Sequence, residues 1–330
     1  MGDPARLTII VVTYNSETVI GDCLRSLAAD AVDGADVVVV DNASSDDTLD
    51  VVEAVLPTAT RLDLPDNRGY SAAINAAVET SPGGDVLVLN PDIRLRRGTL
   101  AALRRAAQGR TGVTVPRLLE RDGTMSPSIR REPTAPRAWA EAVFGGRIAG
   151  RLGAGEMVTH PVAYQQRHPV DWASGAVMYI TADCLGAVGC FDESFFLYSE
   201  ETDYMLRVRD AGFEVTYVPD AVAVHLGGEL STSAELWSRR TVNRVRLQRR
   251  RHGRMSTASF LGASLAGEGV RAVAGRQISR RAAADLLRVG PRIIAAGPPP
   301  LEPHRDAVAA GSTARRPLVS HTGEAHHGSR

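Results

Sequence analysis

Three short runs of consecutive aliphatic residues, each ending in polar ones, constrain this chain most. They are Leu7–Thr13, Val37–Val40 followed by Asp41-Asn42, and Val86–Leu89 followed by Asn90-Pro91-Asp92. A run without polar alternation reads as a strand buried on both faces, which belongs in a parallel sheet covered by helices. Pro91 has no N–H to give a ladder, so the third run stops before it and Asp92 falls at the carboxyl end of a strand.

Helical patterns lie between the runs. Ile20, Cys23, Leu24 and Leu27 recur at helical spacing, with Ser16 placed to cap them. Ser44 and Asp47 resemble a capping box ahead of Leu49, Val52 and Leu56. Ala59–Leu64 reads as a weaker strand, Asn67-Arg68-Gly69-Tyr70 as a turn with glycine at positive φ, and Ser71–Glu79 as a helix. This βαβαβαβ order predicts an α/β fold, a mostly parallel central sheet flanked by helices. Ligands bind such sheets at the carboxyl ends of the strands. Thr13 to Asn15, Asp41-Asn42 and Asn90 to Asp92 therefore share one edge by construction. Asp41 can accept hydrogen bonds from a pyrimidine N–H or a ribose hydroxyl, and Asp92 can hold a hard divalent cation beside a phosphate. Each alone reads equally as a turn residue; the three together suggest a nucleotide pocket.

Several classes are disfavoured. Thr13-Tyr14-Asn15-Ser16 stands where a dinucleotide-binding domain would carry a glycine-rich turn. All 38 basic residues of the 330 are arginine, which excludes a Schiff-base lysine and a P-loop lysine. Zero formal net charge gives no global field for nucleic acid, and none is expected as a partner. Cys23, Cys184 and Cys190 are widely spaced, which suggests a reducing compartment and no disulfide framework. With no leader pattern and no apolar run of membrane-spanning length, a cytoplasmic location is expected.

The stretches TIIVVTYNS, VVVVDNASSDDT, DNRGYSAAINAAV and VLVLNPD resemble, in order, the motifs of family 2 glycosyltransferases of the GT-A fold. The similarity is greatest to the bacterial rhamnosyltransferase-like branch. The resemblance implies nucleotide contacts for Thr13, Tyr14, Asn15 and Asp41. It places Asn67 and Gly69 in an N-x-G turn and Asn75 on the following helix, also on the nucleotide side. Asp92 matches the last residue of a metal-binding D-x-D, while Asn90 replaces the first Asp.

In the second half, Arg97–Gln108 reads as a helix, Gly112–Pro116 as a strand and Leu118–Gly123 as a strand entering a turn. Residues 126–169 are rich in Pro, Gly and Arg, which predicts a mobile loop with one short helix near Ala138–Phe144. Val170–Ala176 then precedes an apolar strand at Val177–Ile180. Trp172 there is either a core residue or a flat face on which a sugar stacks. By resemblance this W-x-S-G-A segment lines the acceptor side through Trp172, Ser174 and Gly175.

Phe195–Tyr204 delivers Glu200 and Glu201 to the start of a helix that closes at Gly212. Acidic residues in a first turn are ordinary dipole partners, yet clustered aromatics can raise a carboxyl toward the working range of a general base. The family's acidic pair, followed two residues on by a further acid, matches Glu200, Glu201 and Asp203. That implies a catalytic base at Glu201 beside Glu200, with Asp203 on the acceptor side. Phe213–Val218 and Ala221–Val224 read as two short strands around Pro219-Asp220. His225, followed by Leu226-Gly227-Gly228, resembles the position that completes the metal shell with Asp92. Mg²⁺ or Mn²⁺ is the implied cofactor, with diphosphate oxygens and water as further ligands.

From Arg239 to Arg254 there are eight arginines and no acid. Such a basic amphipathic segment either rests on an anionic membrane, at the inner face of the cell membrane, or packs on the catalytic domain. Ser256–Val289 has a weaker helical pattern interrupted by Gly262, Gly267, Gly269 and Gly275, and a Pro-rich tail reads as disordered. The expected organisation is a GT-A domain over residues 1–228, a basic helical extension over 229–295 and a tail over 296–330. The expected function is an inverting, metal-assisted transferase in cell-envelope polysaccharide assembly. Its donor is dTDP-rhamnose or a UDP-sugar, and its acceptor a glycan or a polyprenyl-diphosphate-linked sugar. A nucleotidyltransferase would need a dense Gly/Arg loop after the first strand, which is absent. A non-catalytic nucleotide-binding module would have no use for Asp92, Glu201 and His225.

Overall fold

Every position of β1 (Leu7–Thr13) is buried, so this strand has no face for water and sits inside the sheet. A computed structural model describes residues 6–30, 34–227 and 233–296. In it β1 lies parallel between β2 (Asp36–Asp41) and β4 (Asp85–Leu89), and β3 (Thr60–Asp63) extends the parallel set beyond β2. The connecting helices are α1 (Ile20–Ala29), α2 (Thr48–Val55) and α3 (Tyr70–Thr80). β5 (Ile93–Leu95), α4 (Thr99–Ala106), β6 (Thr111–Leu119), β7 (Ile129–Arg130), α5 (Ala135–Phe144) and α6 (Gly146–Arg151) follow. After a 3₁₀ turn at Pro161–Tyr164 come β8 (His168–Val170), β9 (Trp172–Ala173), β10 (Val177–Ile180), α7 (Ala182–Val188), α8 (Glu200–Asp210) and β11 (Glu214–His225). Three helices complete the described chain: α9 (Ala234–Arg251), α10 (Arg254–Val273) and α11 (Gln277–Ala295).

The main sheet has nine strands in the order β3-β2-β1-β4-β10-β6-β11-β5, with β8 on β11. β10 enters antiparallel between β4 and β6, which makes the sheet mixed. Alternate residues of each strand face opposite layers. Ile10 and Val12 pack with Ala73 and Ile74 of α3 and with Tyr204 and Met205 of α8. Ile9 and Val11 pack on the other side with Leu24 of α1, Val52 of α2 and Leu103 of α4. The expected mostly parallel sheet flanked by helices is therefore present.

Four local expectations differ. The two strands around Pro219-Asp220 are one strand, β11, whose register against β6 shifts between Val218 and Val222. A proline without an N–H is accommodated by a bulge that leaves the strand unbroken. Ser16 caps α1 through its carbonyl, which accepts the Val19 and Ile20 N–H groups, and not through its hydroxyl. Residues 126–169 hold β7, α5, α6, the 3₁₀ turn and β8, so the expected loop is largely ordered. Thr134 caps α5 by accepting the Arg137 N–H, and Pro136 sits in the first turn, where its missing N–H is harmless. Finally, α10 runs unbroken through Gly262, Gly267 and Gly269. A Cβ at Gly262 would lie 3.5 Å from the Trp139 ring, an ordinary contact, so this helix position faces α5.

α9, α10 and α11 share a core with α5, in which Val245, Phe260 and Leu286 are fully buried. The arginines of α9 turn toward carboxylates of the catalytic part. Arg251 pairs with Asp210 at 2.8 Å and Glu132 at 3.2 Å, while Arg250 pairs with Asp192 and, at 3.2 Å, with Asp203. This is the packed arrangement of the two read from the sequence. No helix among the described residues is long and apolar enough to cross a membrane. Gly228 and the expected tail beyond residue 296 lie outside the described residues.

Candidate active site

The carboxyl ends of β1 and β2 are tied together through Asp41. The Thr13 hydroxyl donates to Asp41 Oδ1 at 2.7 Å, and the Ser44 N–H donates to Oδ2 at 2.7 Å. Asn15 takes a left-handed φ of 48° and binds the next loop. Its N–H donates to Ser44 Oγ at 2.8 Å and its side-chain oxygen accepts the Ser45 N–H at 2.8 Å. Tyr14 projects from this edge, 51% exposed. The nucleotide candidates of the first two strands thus form one polar ledge with an open aromatic ring.

The N-x-G turn has a second role that spacing did not reveal. Gly69, at φ 88°, is so close to the Phe196 carbonyl that a Cβ would lie 2.2 Å from its oxygen. Asn67 Oδ1 accepts the Gly69 N–H at 3.1 Å. The Tyr70 N–H donates to Phe196 O at 2.8 Å, and the Ser71 hydroxyl to Phe195 O at 3.1 Å. Asn75 exchanges two 2.9 Å bonds with the Phe191 backbone and donates to Glu193 at 3.0 Å. The start of α3 is therefore a clamp on the segment that leads to Glu200 and Glu201, and Asn75 spends its amide on that clamp.

That segment ends in two consecutive left-handed residues, Tyr198 at φ 68° and Ser199 at φ 77°. They turn the chain sharply so that Glu200 and Glu201 open α8. Glu200 is buried and Glu201 half-buried, and Oε2 of each is packed away from water without a partner among the described residues. Burial pushes Glu200 well above the usual carboxyl range, and the neighbouring charge of Glu201 adds to this. Burial also raises Glu201, but the N–H groups of Glu201 and Thr202 and the Arg240 guanidinium favour its ionised form. The two adjacent acids titrate as a pair: burial raises both, Glu200 well above its usual range, and Arg240 favours the ionised form at Glu201.

The turn before β10 backs onto this pair. A Cβ on Gly175 would lie 2.8 Å from Glu201 Cβ, so only glycine lets the turn approach. Ala176 O accepts the Asn90 N–H at 3.0 Å, which ties the end of β4 to the same turn. Ser174 braces it, its Oγ accepting the Ala176 N–H at 3.4 Å. Tyr70 joins the same turn, its hydroxyl donating to Gly175 O at 3.3 Å. Its hydroxyl is raised far above its ordinary value by burial and by the charges of Glu200, Glu201 and Asp92. Sequence reasoning missed Tyr70, although its place directly after the N-x-G turn was a usable signal. It also missed Arg240, which lies far away in sequence.

Asp92 Oδ2 accepts the Gly227 N–H at 3.0 Å and faces His225 Nε2 at 3.2 Å. Burial would raise Asp92, but His225 and the Gly227 N–H hold its carboxyl below the usual range. Burial would lower His225, yet Asp92 outweighs it and the imidazole titrates higher than normal. No group of three or more metal-ligating acids, thiols or imidazoles occurs among the described residues. Asp92 Oδ1 is nevertheless buried without a partner. One carboxylate with a free oxygen and one imidazole fit a divalent cation whose other ligands come from a diphosphate and water.

Two acceptor-side candidates are occupied elsewhere. Trp172 is 8% exposed and donates its indole N–H to Arg131 O at 2.9 Å, so its ring belongs to the core. Asp203 is buried in an ion pair with Arg207 at 2.9 Å and Arg250 at 3.2 Å. Of that group, Gly175 lies against Glu201, and Ser174 braces its turn.

Residues 8–170 match the model of the family described as Glycosyl transferase family 2. The chain is 30% identical over 238 residues to an N-acetylglucosaminyl-diphospho-decaprenol L-rhamnosyltransferase of Mycobacterium tuberculosis, covering 66% of this chain and 75% of that protein. It is 27% identical over 224 residues to a low-salt glycan biosynthesis hexosyltransferase of Haloferax volcanii, covering 66% of each. Among solved structures, a mannosyltransferase of Pyrobaculum calidifontis in complex with GDP-Man and Mn²⁺ aligns with a TM-score of 0.55 at 20% identity, over 90% of this chain and 82% of that one. GalNAc-T7 with UDP, GalNAc and Mn²⁺ aligns with a TM-score of 0.56 at 14% identity, over 75% of this chain and 48% of that one. These two likenesses show a shared fold.

Proposed function

The chain belongs to the family 2 glycosyltransferases, and we propose that it is an inverting enzyme that transfers a sugar from a nucleoside diphosphate to a hydroxyl of a polyprenyl-diphosphate-linked sugar. The first donor is dTDP-rhamnose and the second a UDP-sugar, in assembly of a cell-envelope glycan. The name of the mycobacterial relative supports this donor sugar and acceptor class. The observation that carries the proposal is the turn at Gly175 and Ala176, which lies against Glu201, accepts the Tyr70 hydroxyl and holds the end of β4 two residues before Asp92.

Thr13, Tyr14, Asn15 and Asp41 receive the nucleoside, with Tyr14 as the stacking face. Asn67 and Gly69 shape the adjoining wall. Asp92 and His225 are the residues that would hold Mg²⁺ or Mn²⁺, which supplies positive charge to the leaving diphosphate when bound. Mn²⁺ in the two aligned structures supports a divalent requirement. Glu201 takes the proton from the acceptor hydroxyl, because its carboxylate is the one favoured by helix N–H groups and Arg240. The hydroxyl oxygen then bonds to the anomeric carbon as the bond to the diphosphate oxygen breaks, which inverts the centre in one displacement.

The test is thermal stabilisation by Mn²⁺ with dTDP, UDP, GDP or CDP, followed by transfer from the matching nucleotide sugar. A metal-dependent shift with dTDP or UDP and transfer that needs Glu201 are expected. Transfer unchanged in Glu201→Gln would overturn the mechanism.

A further inference from the structure

A cavity of about 190 Å³ lies between α5, α9 and α10, lined by neither Glu200 nor Glu201. Five guanidinium groups line it: Arg130, Arg240, Arg244, Arg271 and Arg276. Three carboxylates offset them in part, which leaves two positive charges in excess. The carboxylates are committed to particular arginines. Arg244 pairs with Glu156 and, at 3.8 Å, with Glu141, while Arg271 pairs with Glu268 at 2.7 Å. Arg240 and Arg276 make no ion pair among the described residues. Both lie on the Trp237 ring, with guanidinium carbons 5.2 and 4.2 Å from its centroid. Burial and the repulsion of Arg244 push Arg240 down to about 10. Two guanidinium groups held on one indole ring without a carboxylate partner are a poor arrangement for stability alone. It is a good one for a diffusible anion, because guanidinium forks match phosphate oxygens.

Two further observations say which anion. The cavity adjoins the reacting end of the active site: Arg240 acts electrostatically on Glu201, and Asn243, one turn along α9, binds the carbonyls of Leu197 and Tyr198. Ala142 and Gly146 in the cavity wall belong to the α5–α6 elbow. That elbow presents Val143, Phe144, Ile148 and Leu152 to solvent, 51–69% exposed, beside exposed Arg147 and Arg151. An apolar ridge with basic residues at the rim of an anion cavity suits a ligand that carries both a phosphate group and a hydrocarbon chain.

We propose that this cavity binds the diphosphate of the lipid-linked acceptor, with Arg240 and Arg276 as its ligands, so that the acceptor sugar reaches Glu201 while the prenyl chain leaves along the α5–α6 elbow. The proposal rests on the acceptor class given above. The site is separate from the donor diphosphate at Asp92 and His225, and it selects acceptors by their linker as well as their sugar. Two negative charges on a diphosphate diester match the two excess positive charges of the cavity.

The experiment has a binding arm and a kinetic arm. In EDTA, inorganic diphosphate is titrated calorimetrically into the wild type, Arg276→Ala, Arg240→Gln and Asp92→Asn. Binding to the wild type and to Asp92→Asn, weakened about tenfold or more in both arginine variants, is expected. Absent binding, or binding lost in Asp92→Asn and kept in the arginine variants, overturns the proposal. In the kinetic arm, Arg276→Ala raises KM for a prenyl-diphosphate-linked sugar about tenfold and leaves KM for the donor and for an alkyl glycoside of the same sugar unchanged. An equal rise for both acceptors overturns it. Wild-type transfer to neither acceptor, with diphosphate still bound through the arginines, would refute the acceptor reading and not the cavity. Arg276 opens α11 and is the second variant if Arg240→Gln fails to fold.

Discussion

The side-chain amide of Asn243 donates to the carbonyl of Tyr198 at 3.1 Å and, in the same grip, to that of Leu197 at 3.0 Å. A helix from the C-terminal part therefore holds the turn that presents the catalytic pair. Tyr198 and Ser199 are both left-handed, a conformation that costs a residue with a Cβ about 1–2 kcal/mol. Asn243→Ala should relax that turn. The expected result is a kcat reduced about tenfold or more with little change in donor KM, and stability lowered by about 1–2 kcal/mol. Steady-state kinetics and urea denaturation check both. Adding Ser199→Gly, which removes part of the backbone strain, should recover stability but not kcat.

The two glutamates should respond differently to the same change. Glu201→Gln removes the base and should lower kcat by about 10²–10⁴-fold, with Mn²⁺–nucleotide binding retained. Glu200 is held protonated by burial and by Glu201, so Gln is close to its working form, and Glu200→Gln should keep most activity. The acid limb of the wild-type kcat–pH profile should lie above the usual carboxyl range, because burial raises Glu201. A limb at an ordinary glutamate value would contradict the assignment.

Stability should carry the same signature. Both acids have folded pKa values above their unfolded ones. The folded state therefore holds more protons between the unfolded value, about 4.3, and the raised values. The contribution of the pair is full below that window and is lost as pH rises through it. Glu200→Gln should raise Tm relative to wild type at neutral pH, and the difference should shrink toward pH 4 in calorimetry.

The parallel strands, the α1 to α3 order and the strand-end residues were legible because period and turn chemistry are local. Asp92, Glu201 and His225 could be placed for the same reason, each at the end of a recognisable element. What stayed hidden depends on contacts between distant segments. Asn75 looked like a nucleotide contact until Phe191 took up its amide, and Trp172 stood open between core and platform until Arg131 accepted its N–H. The arginines of α9 were ambiguous because their carboxylate partners, Glu132, Asp192, Asp203 and Asp210, are spread over other elements. The glycines of α10 looked like breaks, although Gly262 is where the Trp139 ring packs.

Gly69 is the most constrained residue of the clamp. Its φ of 88° disfavours any side chain, and a Cβ would sit 2.2 Å from the Phe196 carbonyl oxygen. Gly69→Ala must therefore move the backbone of either α3 or the segment before Glu200. A loss of about 2–4 kcal/mol is expected, with activity falling further than stability explains because Glu200 and Glu201 shift together. Gly98→Ala is the control: its φ is 86°, but nothing lies within 4 Å of its Cβ. That variant should show only the smaller backbone penalty and keep activity.

Asp92 and His225 separate metal binding from folding. Their pair is partly exposed, with side chains 23% and 26% accessible, so breaking it should cost less than about 1 kcal/mol of stability. The unpartnered Asp92 Oδ1 is a different matter, since it is the free oxygen offered to a cation. Asp92→Asn keeps the shape and an oxygen for the Gly227 hydrogen bond but removes the only negative charge that the pair offers the metal. The added thermal stabilisation from Mn²⁺ with dTDP or UDP should vanish in Asp92→Asn and fall sharply in His225→Ala, while Tm without ligand changes by a few degrees at most. Transfer should drop about 10²-fold or more in both. If EDTA leaves wild-type transfer unchanged, the pair is an ion pair that braces β5 against β11 and the leaving diphosphate is neutralised by arginine instead.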